Sequence, residues 1–231
     1  GDIRLFLDYL CAMNRARGFD LVIMDALTGN RAGPMNNSDN PDARTDFILV
    51  NAILCSRDSV AIDTVETLLG GFRPDSVPLP EAAFRDGIGI NRPAYIDLKG
   101  FDAFFRHKRW LRETYPGCGP GSYPLQSGIG NAKTHEDFNA PENVSVTCRK
   151  DGDVFMFDYT ASEPAPCNHA LARIDLLVNG TVVQRLFENL TGGSVPVDFG
   201  EFCNQVVRYR IAAWDMALNC TLSEEKELMV A

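Results

Sequence analysis

The side chains best equipped for chemistry lie early in the chain. Asp25 ends the apolar run Phe19-Asp20-Leu21-Val22-Ile23-Met24, which reads as a buried strand. Open α/β sheets place their ligand sites at the carboxyl ends of strands. Asp25, Asn30, Gly33 and Arg57 therefore form a candidate ligand-binding set. Asn30 and Arg31 offer donors, Gly33 permits close backbone approach, and Arg57 beside the free N–H groups of a helix start suits an anion or another small molecule. Asp25, Asp58 and Asp63 are hard oxygen donors of the kind that hold Mg²⁺ or Ca²⁺, and they form the candidate metal set. Ser59, Asp63 and Glu66 share one polar helix face at i, i+4, i+7. The competing reading spends the same residues on local structure: Asp58 caps the helix, Asp63 and Glu66 are solvated, and Asp25 orders a turn. Both readings stand at this point, and no catalytic residue is singled out.

Other groups are less promising. Asn36-Asn37-Ser38-Asp39-Asn40-Pro41-Asp42 is rich in oxygen but lacks the glycine and closing Glu of an EF-hand loop. His107, His135 and His169 show no metal-ligand spacing. There is no Gly-x-Ser-x-Gly elbow. The seven cysteines (11, 55, 118, 148, 167, 203 and 220) include no CxxC, so no iron–sulfur cluster is expected, and a divalent cation is the one cofactor the residues suggest.

The elements that must position these groups follow from periodicity. Ile3, Phe6, Leu10 and Met13 define an amphipathic helix over 3–15, ended near Gly18. The segment 47–54 is a second apolar strand. Ser56 or Asp58 caps a helix with apolar face Ala61, Val65 and Leu68, stopped at Gly70-Gly71. A short helix over 80–85, a strand over 95–98 and a basic helix over 101–112 complete an α/β pattern, with a partial, mixed or parallel sheet. In such a sheet Asp25 and Asp63 would lie near one edge.

These landmarks carry a resemblance. Asp25 at a strand end, Gly33-Pro34, the run "ILCSRDSVAIDTVETLLGGF" and then "AAFRDGIGI" resemble the C-terminal half of the family known as domain of unknown function 362. That family runs a strand into Asp-Pro-Val-Ala-x-Asp; here Asp58-Ser59-Val60-Ala61-Ile62-Asp63 matches, with Ser59 in place of the usual proline. The resemblance spans about residues 15–100. It implies an α/β fold and a prokaryotic source, and it supplies no reaction. The family's N-terminal half has no counterpart here, so the first unit is expected to leave a sheet edge or apolar face uncovered. Such an edge invites homodimerisation or coverage by the following segment.

Residues 114–142 stack Gly and Pro too densely for helix or strand and read as a connector between a unit at 1–113 and one at 143–231. In the last unit short alternating segments recur at 144–148, 154–160, 172–178, 181–187, 195–199, 205–214 and 226–230. They are joined by turns at Asp151-Gly152, Asn179-Gly180 and Gly192-Gly193. Seven strands in this rhythm predict an all-β immunoglobulin- or fibronectin-like sandwich, resembling bacterial modules of that kind. In a Greek-key sandwich Cys148 and Cys203 share one end, and Cys167 and Cys220 share the other. This makes Cys148–Cys203 and Cys167–Cys220 plausible disulfides, with four reduced thiols as the alternative.

Composition sets the outer bounds. Hydrophobic residues are 45% and charged residues 23% of 231, ordinary for a chain that buries a core. The net charge of −9 disfavours nucleic acid, which wants an excess of cations. No apolar run approaches the ~18–20 residues of a membrane span. The start at Gly1-Asp2 without Met suggests a processed product, and the cysteine-rich last unit suggests an extracytoplasmic address, periplasmic or secreted, with the cytoplasm as alternative. Two function classes remain: a ligand- or metal-binding, enzyme-like α/β domain with an appended sandwich, or a non-catalytic extracytoplasmic interaction or adhesion protein.

Overall fold

The computed structural model describes residues 3–30, 47–100, 139–152, 154–165 and 170–230, and the chain divides into compact units at Gly1–Glu136 and Asp137–Ala231. The expected basic helix, the Asn36–Asp42 loop, all three histidines and nearly all of the connector lie outside the described residues.

In the first unit the described elements are α1 (Ile3–Arg17), β1 (Val22–Asn30), β2 (Phe47–Ser56), α2 (Ser59–Leu69) and α3 (Pro78–Arg85). Helix α2 follows from its ends. Asp58 caps it, and Gly71, at φ +79°, closes it in a Schellman turn: Gly71 N–H donates to Leu68 O and Phe72 N–H to Thr67 O. Pro78 opens α3, and Gly87 closes it in the same way, with Ile88 N–H donating to Ala83 O. The three helices meet at Cys11, Val60 and Ala83, with Ala82 and Ile88 packed alongside.

Three expectations change. β1 and β2 are antiparallel, with Val22 opposite Ser56 and Asn30 opposite Phe47, so the described sheet is a two-stranded antiparallel ribbon and not a parallel or mixed one. An apolar run makes a strand but carries no direction. A bulge interrupts the pairing between Ala26 and Thr28, where Asn51 takes a left-handed φ of 57°. The segment expected to be a strand at 95–98 instead begins with a 3₁₀ turn, Pro93–Tyr95, set by the fixed φ of its proline. Helix α1 buries Cys11 and half-buries Leu7, Leu10 and Asn14, while Phe6 (59% exposed) and Met13 (52%) point to solvent. Its sequence carries two apolar stripes, and the less obvious one meets the other helices.

The second unit is a two-sheet β-sandwich. One sheet orders β10 (Lys226–Val230), β8 (Gln205–Asp215), β5 (Leu171–Val178) and β6 (Thr181–Leu186), with β9 (Cys220–Leu222) also on β8; the other orders β3 (Glu142–Asp151), β4 (Val154–Ser162) and β7 (Gly192–Val197). Every expected strand segment appears, but β7 begins at Gly192, so Gly192 and Gly193, expected as a turn, pair with Thr160 and Tyr159 instead; the three-residue β9 is too short to read from alternation. The core alternates out of both sheets: Val146, Phe157 and Tyr159 against Ile174, Leu176, Val207, Tyr209 and Ile211. Phe157 meets Tyr209 edge to face with centroids 5.2 Å apart.

The outer face of the larger sheet carries a charged ladder. Asp175 accepts from Arg173 at 2.9 Å and pairs with Arg185 at 3.3 Å, while the Arg173 guanidinium lies 4.7 Å from the Trp214 ring. Arg173 and Asp175 are almost wholly buried. Removing one member of such a set costs far more than replacing all of it with apolar groups, so the burial of the ladder is weak evidence for net stability.

Candidate functional site

Asp58 is the junction of the first unit. Its Oδ1 accepts from the N–H groups of Val60 (2.8 Å) and Ala61 (2.9 Å), which leaves two fewer orphan donors at the start of α2. Its Oδ2 accepts from Ile90 N–H at 2.9 Å, so one carboxylate also clamps the 87–92 loop to the helix. The clamp explains Gly89. A Cβ there would stand 2.8 Å from Asp58 Cγ and 2.9 Å from Val60 Cβ, closer than real contacts allow.

One turn on, the buried Thr64 hydroxyl lies 2.8 Å from Asn91 Oδ1, and Asn91 Nδ2 donates to Pro74 O and to Glu81 Oε2, both at 3.1 Å. Glu81 takes a two-point contact from Arg92 (2.7 and 3.1 Å) and another from Arg85 (2.9 Å). These partners, the Arg92 hydrogen bond foremost, hold the Glu81 carboxyl below its ordinary range. Arg92 also lies over the Phe84 ring at 4.2 Å. Sequence reasoning missed this network. Its one signal is Asn91-Arg92-Pro93 one residue after the Gly87-Ile88-Gly89 turn, where polar residues would ordinarily face water.

The candidate residues do not converge. Asp25 is exposed on β1, and its Oδ1 accepts from Leu27 N–H at 2.9 Å, a local turn-like contact. Arg57 is exposed just past β2. Asn30 ends β1 opposite Phe47, and Gly33 lies outside the described residues. Asp63 is half-buried on α2, where burial first, then the charges of Glu66 and Asp58, push its carboxyl up to about 7. Among the described residues no three His, Cys, Asp or Glu side chains come close enough to hold a metal ion, so Asp25, Asp58 and Asp63 do not form the expected set. The physical reason is that Asp58 is spent on three backbone N–H groups and Asp25 turns to its own strand.

A groove of about 350 Å³ between α1 and α3 is lined by Asp8, Asp75, Glu81 and Asp86, with Arg85 among them. Glu81, Asp75 and Asp86 already pair with arginines: Arg85 and Arg92, Arg73, and Arg15 at 3.2 Å, respectively.

The expected Cys148–Cys203 bridge is not formed. Cys148 packs as a small apolar side chain against the sandwich core, and burial pushes its thiol up to about 11, whereas Cys203 is exposed beyond a 3₁₀ turn. Cys220 is buried, and Cys167 lies outside the described residues. No helix among the described residues is long and apolar enough to cross a membrane.

No protein-family model matches the chain, and no curated protein matches it. Among solved structures, the Clostridium perfringens spore cortex lytic enzyme SleM aligns at 18% identity and TM-score 0.29, over 38% of this chain and 27% of that one. The fibronectin(III)-like modules of Clostridium thermocellum CbhA align at 18% identity and TM-score 0.33, over 43% of this chain and 51% of theirs. The hypothetical protein PH1083 of Pyrococcus horikoshii OT3 aligns at 14% and TM-score 0.29, over 40% of this chain and 90% of that one. The chain thus spans about a quarter and a half of the first two.

Proposed function

We propose that this chain is a non-catalytic contact protein, in which the first unit offers apolar binding surface and the second is an immunoglobulin- or fibronectin-like module. One observation carries the reading: large apolar side chains stand in rows on the surface of the first unit. Leu5, Phe6, Tyr9 and Met13 run along α1, and Leu21, Ile23, Leu27 and Ile53 share the outer face of the β1–β2 ribbon. Singly exposed apolar residues are ordinary, but aligned rows mark surfaces that bind. The strand order β3-β4-β7 against β10-β8-β5-β6 supports the immunoglobulin-like assignment of the second unit. An extracytoplasmic address now rests on that module type alone, since Cys148 and Cys203 remain thiols.

The kinship with domain of unknown function 362 belongs to the same proposal as the origin of the first unit's α/β landmarks. The competing ligand-binding reading needs Asp63 or Asp25 to take an ion. Calorimetric titration of the full chain with Mg²⁺, Ca²⁺ and inorganic phosphate, beside fluorescence of the apolar-surface probe bis-ANS, separates the two. The contact reading expects strong bis-ANS enhancement that falls several-fold in Phe6→Ser/Tyr9→Ser/Met13→Ser. Saturable ion binding lost in Asp63→Asn, with no enhancement of the probe, would overturn it.

A further inference from the structure

We propose that the outer face of the β1–β2 ribbon binds a second copy of this chain about a two-fold axis that crosses both strands at the Ile23–Cys55 rung. The proposal rests on the contact-protein reading and names the partner of one of its surfaces. Register carries the argument. Paired residues on antiparallel strands share a face, so Ile23 stands beside Cys55 and Asp25 beside Ile53. The alternation of exposure continues to Leu21 at one end of β1 and to Arg57 just past β2. One face therefore carries the paired rungs Ile23 with Cys55 and Asp25 with Ile53, and the alternation extends it by one step, to the exposed Leu21 and Arg57 just past the last pair, Val22 with Ser56. Ile23 is 63% and Ile53 62% exposed, and the exposed Leu27 continues the apolar row along β1.

The two charges on these rungs are opposite in sign, at opposite ends and on different strands. An isologous contact exchanges the ends of a surface. With the axis through the middle rung, Asp25 of each copy meets Arg57 of the other, and the pair forms twice. The same operation places Ile23 and Cys55 near their own copies. Crossing the rungs on this diagonal also inclines the two ribbons to each other, in the manner of aligned sheet packing. An anionic surface such as a lipid headgroup layer gains nothing from a carboxylate on this face, whereas a second copy supplies its counter-charge. The apolar surface on this face comes from a handful of side chains, within the few hundred Å² that monomers leave bare and small beside a standard interface, so the dimer is a weak one.

Sedimentation equilibrium of the full chain at roughly 10–200 µM reads the association directly. Asp25→Arg and Arg57→Asp are each expected to weaken the dimer about tenfold or more, and the double reversal to return it to within about threefold of the parent. Facing sheets stack about 10 Å apart, so a short bis-maleimide should join Cys55 to Cys55 between differently isotope-labelled copies. A monomer throughout the range overturns the proposal, as do charge reversals without effect or cross-linked copies whose Cys55 is unmodified. A monomer that still binds bis-ANS through Phe6, Tyr9 and Met13 overturns this proposal alone and leaves the contact-protein reading standing; another macromolecule would then occupy the ribbon face.

Discussion

Asp58 is the place where the first unit can be taken apart one interaction at a time. Its carboxylate serves two donors at the start of α2 and a third, Ile90 N–H, in the loop that follows α3. Replacing it with Ala removes the cap, worth about 1 kcal/mol. It also strips the acceptor from a part-buried N–H, worth about 1–3 kcal/mol. The combined loss is about 2–4 kcal/mol. Asp58→Ser separates the parts, because a single hydroxyl caps the helix but cannot also reach Ile90; it should cost about 1–3 kcal/mol. Gly89→Ala attacks the same clamp from the other side by forcing a methyl group between Asp58 and Val60. Global melting is a poor assay for a chain of two units, which need not unfold in one step. Native-state hydrogen exchange read on peptides covering 59–69 and 87–92 is the better measurement. Asp58→Ala should speed exchange in both peptides by roughly a hundredfold, and Asp58→Ser mainly in the second. Exchange in Asp58→Ala within about threefold of the parent would refute the clamp. Equal effects of Ser and Ala in both peptides would refute its division into cap and loop.

Two further predictions follow from charge and burial. Because Asp63 is held up at about 7, the folded chain keeps a proton there that the unfolded chain releases above the ordinary carboxylate range near 4. Stability must therefore fall as pH rises from about 4 to 7. Asp63→Asn should flatten that fall, adding about 1–3 kcal/mol near pH 8 and nothing near pH 4, the figure being reduced for a carboxyl that still touches water. A parent-like pH slope in exchange from the α2 peptide would sink this account. For the thiols, maleimide should modify Cys55 and Cys203 in the native chain, and Cys11, Cys148 and Cys220 only after unfolding. Recovery of a Cys148–Cys203 disulfide by non-reducing peptide mapping would reverse the assignment of both as free.

How much of this could be read beforehand depended on whether the signal was local. The limits of α2 were legible because its cap and its Gly-Gly stop are neighbours of the helix itself. The sandwich strands were legible because alternation and turns such as Asn179-Gly180, both at positive φ, repeat every few residues. What escaped depended on partners distant in sequence. Helix α1 offers one apolar stripe through Phe6 and Met13 and another through Leu7 and Cys11, and only packing against α2 and α3 decides which is buried. Likewise nothing within the Pro93-Ala94-Tyr95 run says that Asn91 and Arg92, just before it, will be drawn into a network with Thr64 and Glu81.

The site residues show the same division in sharper form. Asp25, Arg57, Asp58 and Asp63 are all identified by type, and their types leave both ligand and structural uses open. Register then separates them. Being opposite Ile53 puts Asp25 on the exposed face, away from the half-buried row of Val22, Met24 and Ala26, while Asp58 sits at the first turn of α2 where three N–H groups reach it. A shift of one residue in the β1–β2 pairing would exchange the two faces of the ribbon. Asp25 would then sit among half-buried apolar side chains, where an unpaired carboxylate is costly. The bulge at Asn51 lies two rungs beyond Asp25, so it leaves the register of the Leu21-to-Asp25 segment intact while bending the far end of the ribbon. What Asp25 and Arg57 can do is thus decided less by their own chemistry than by the pairing that sets them at opposite ends of one apolar face.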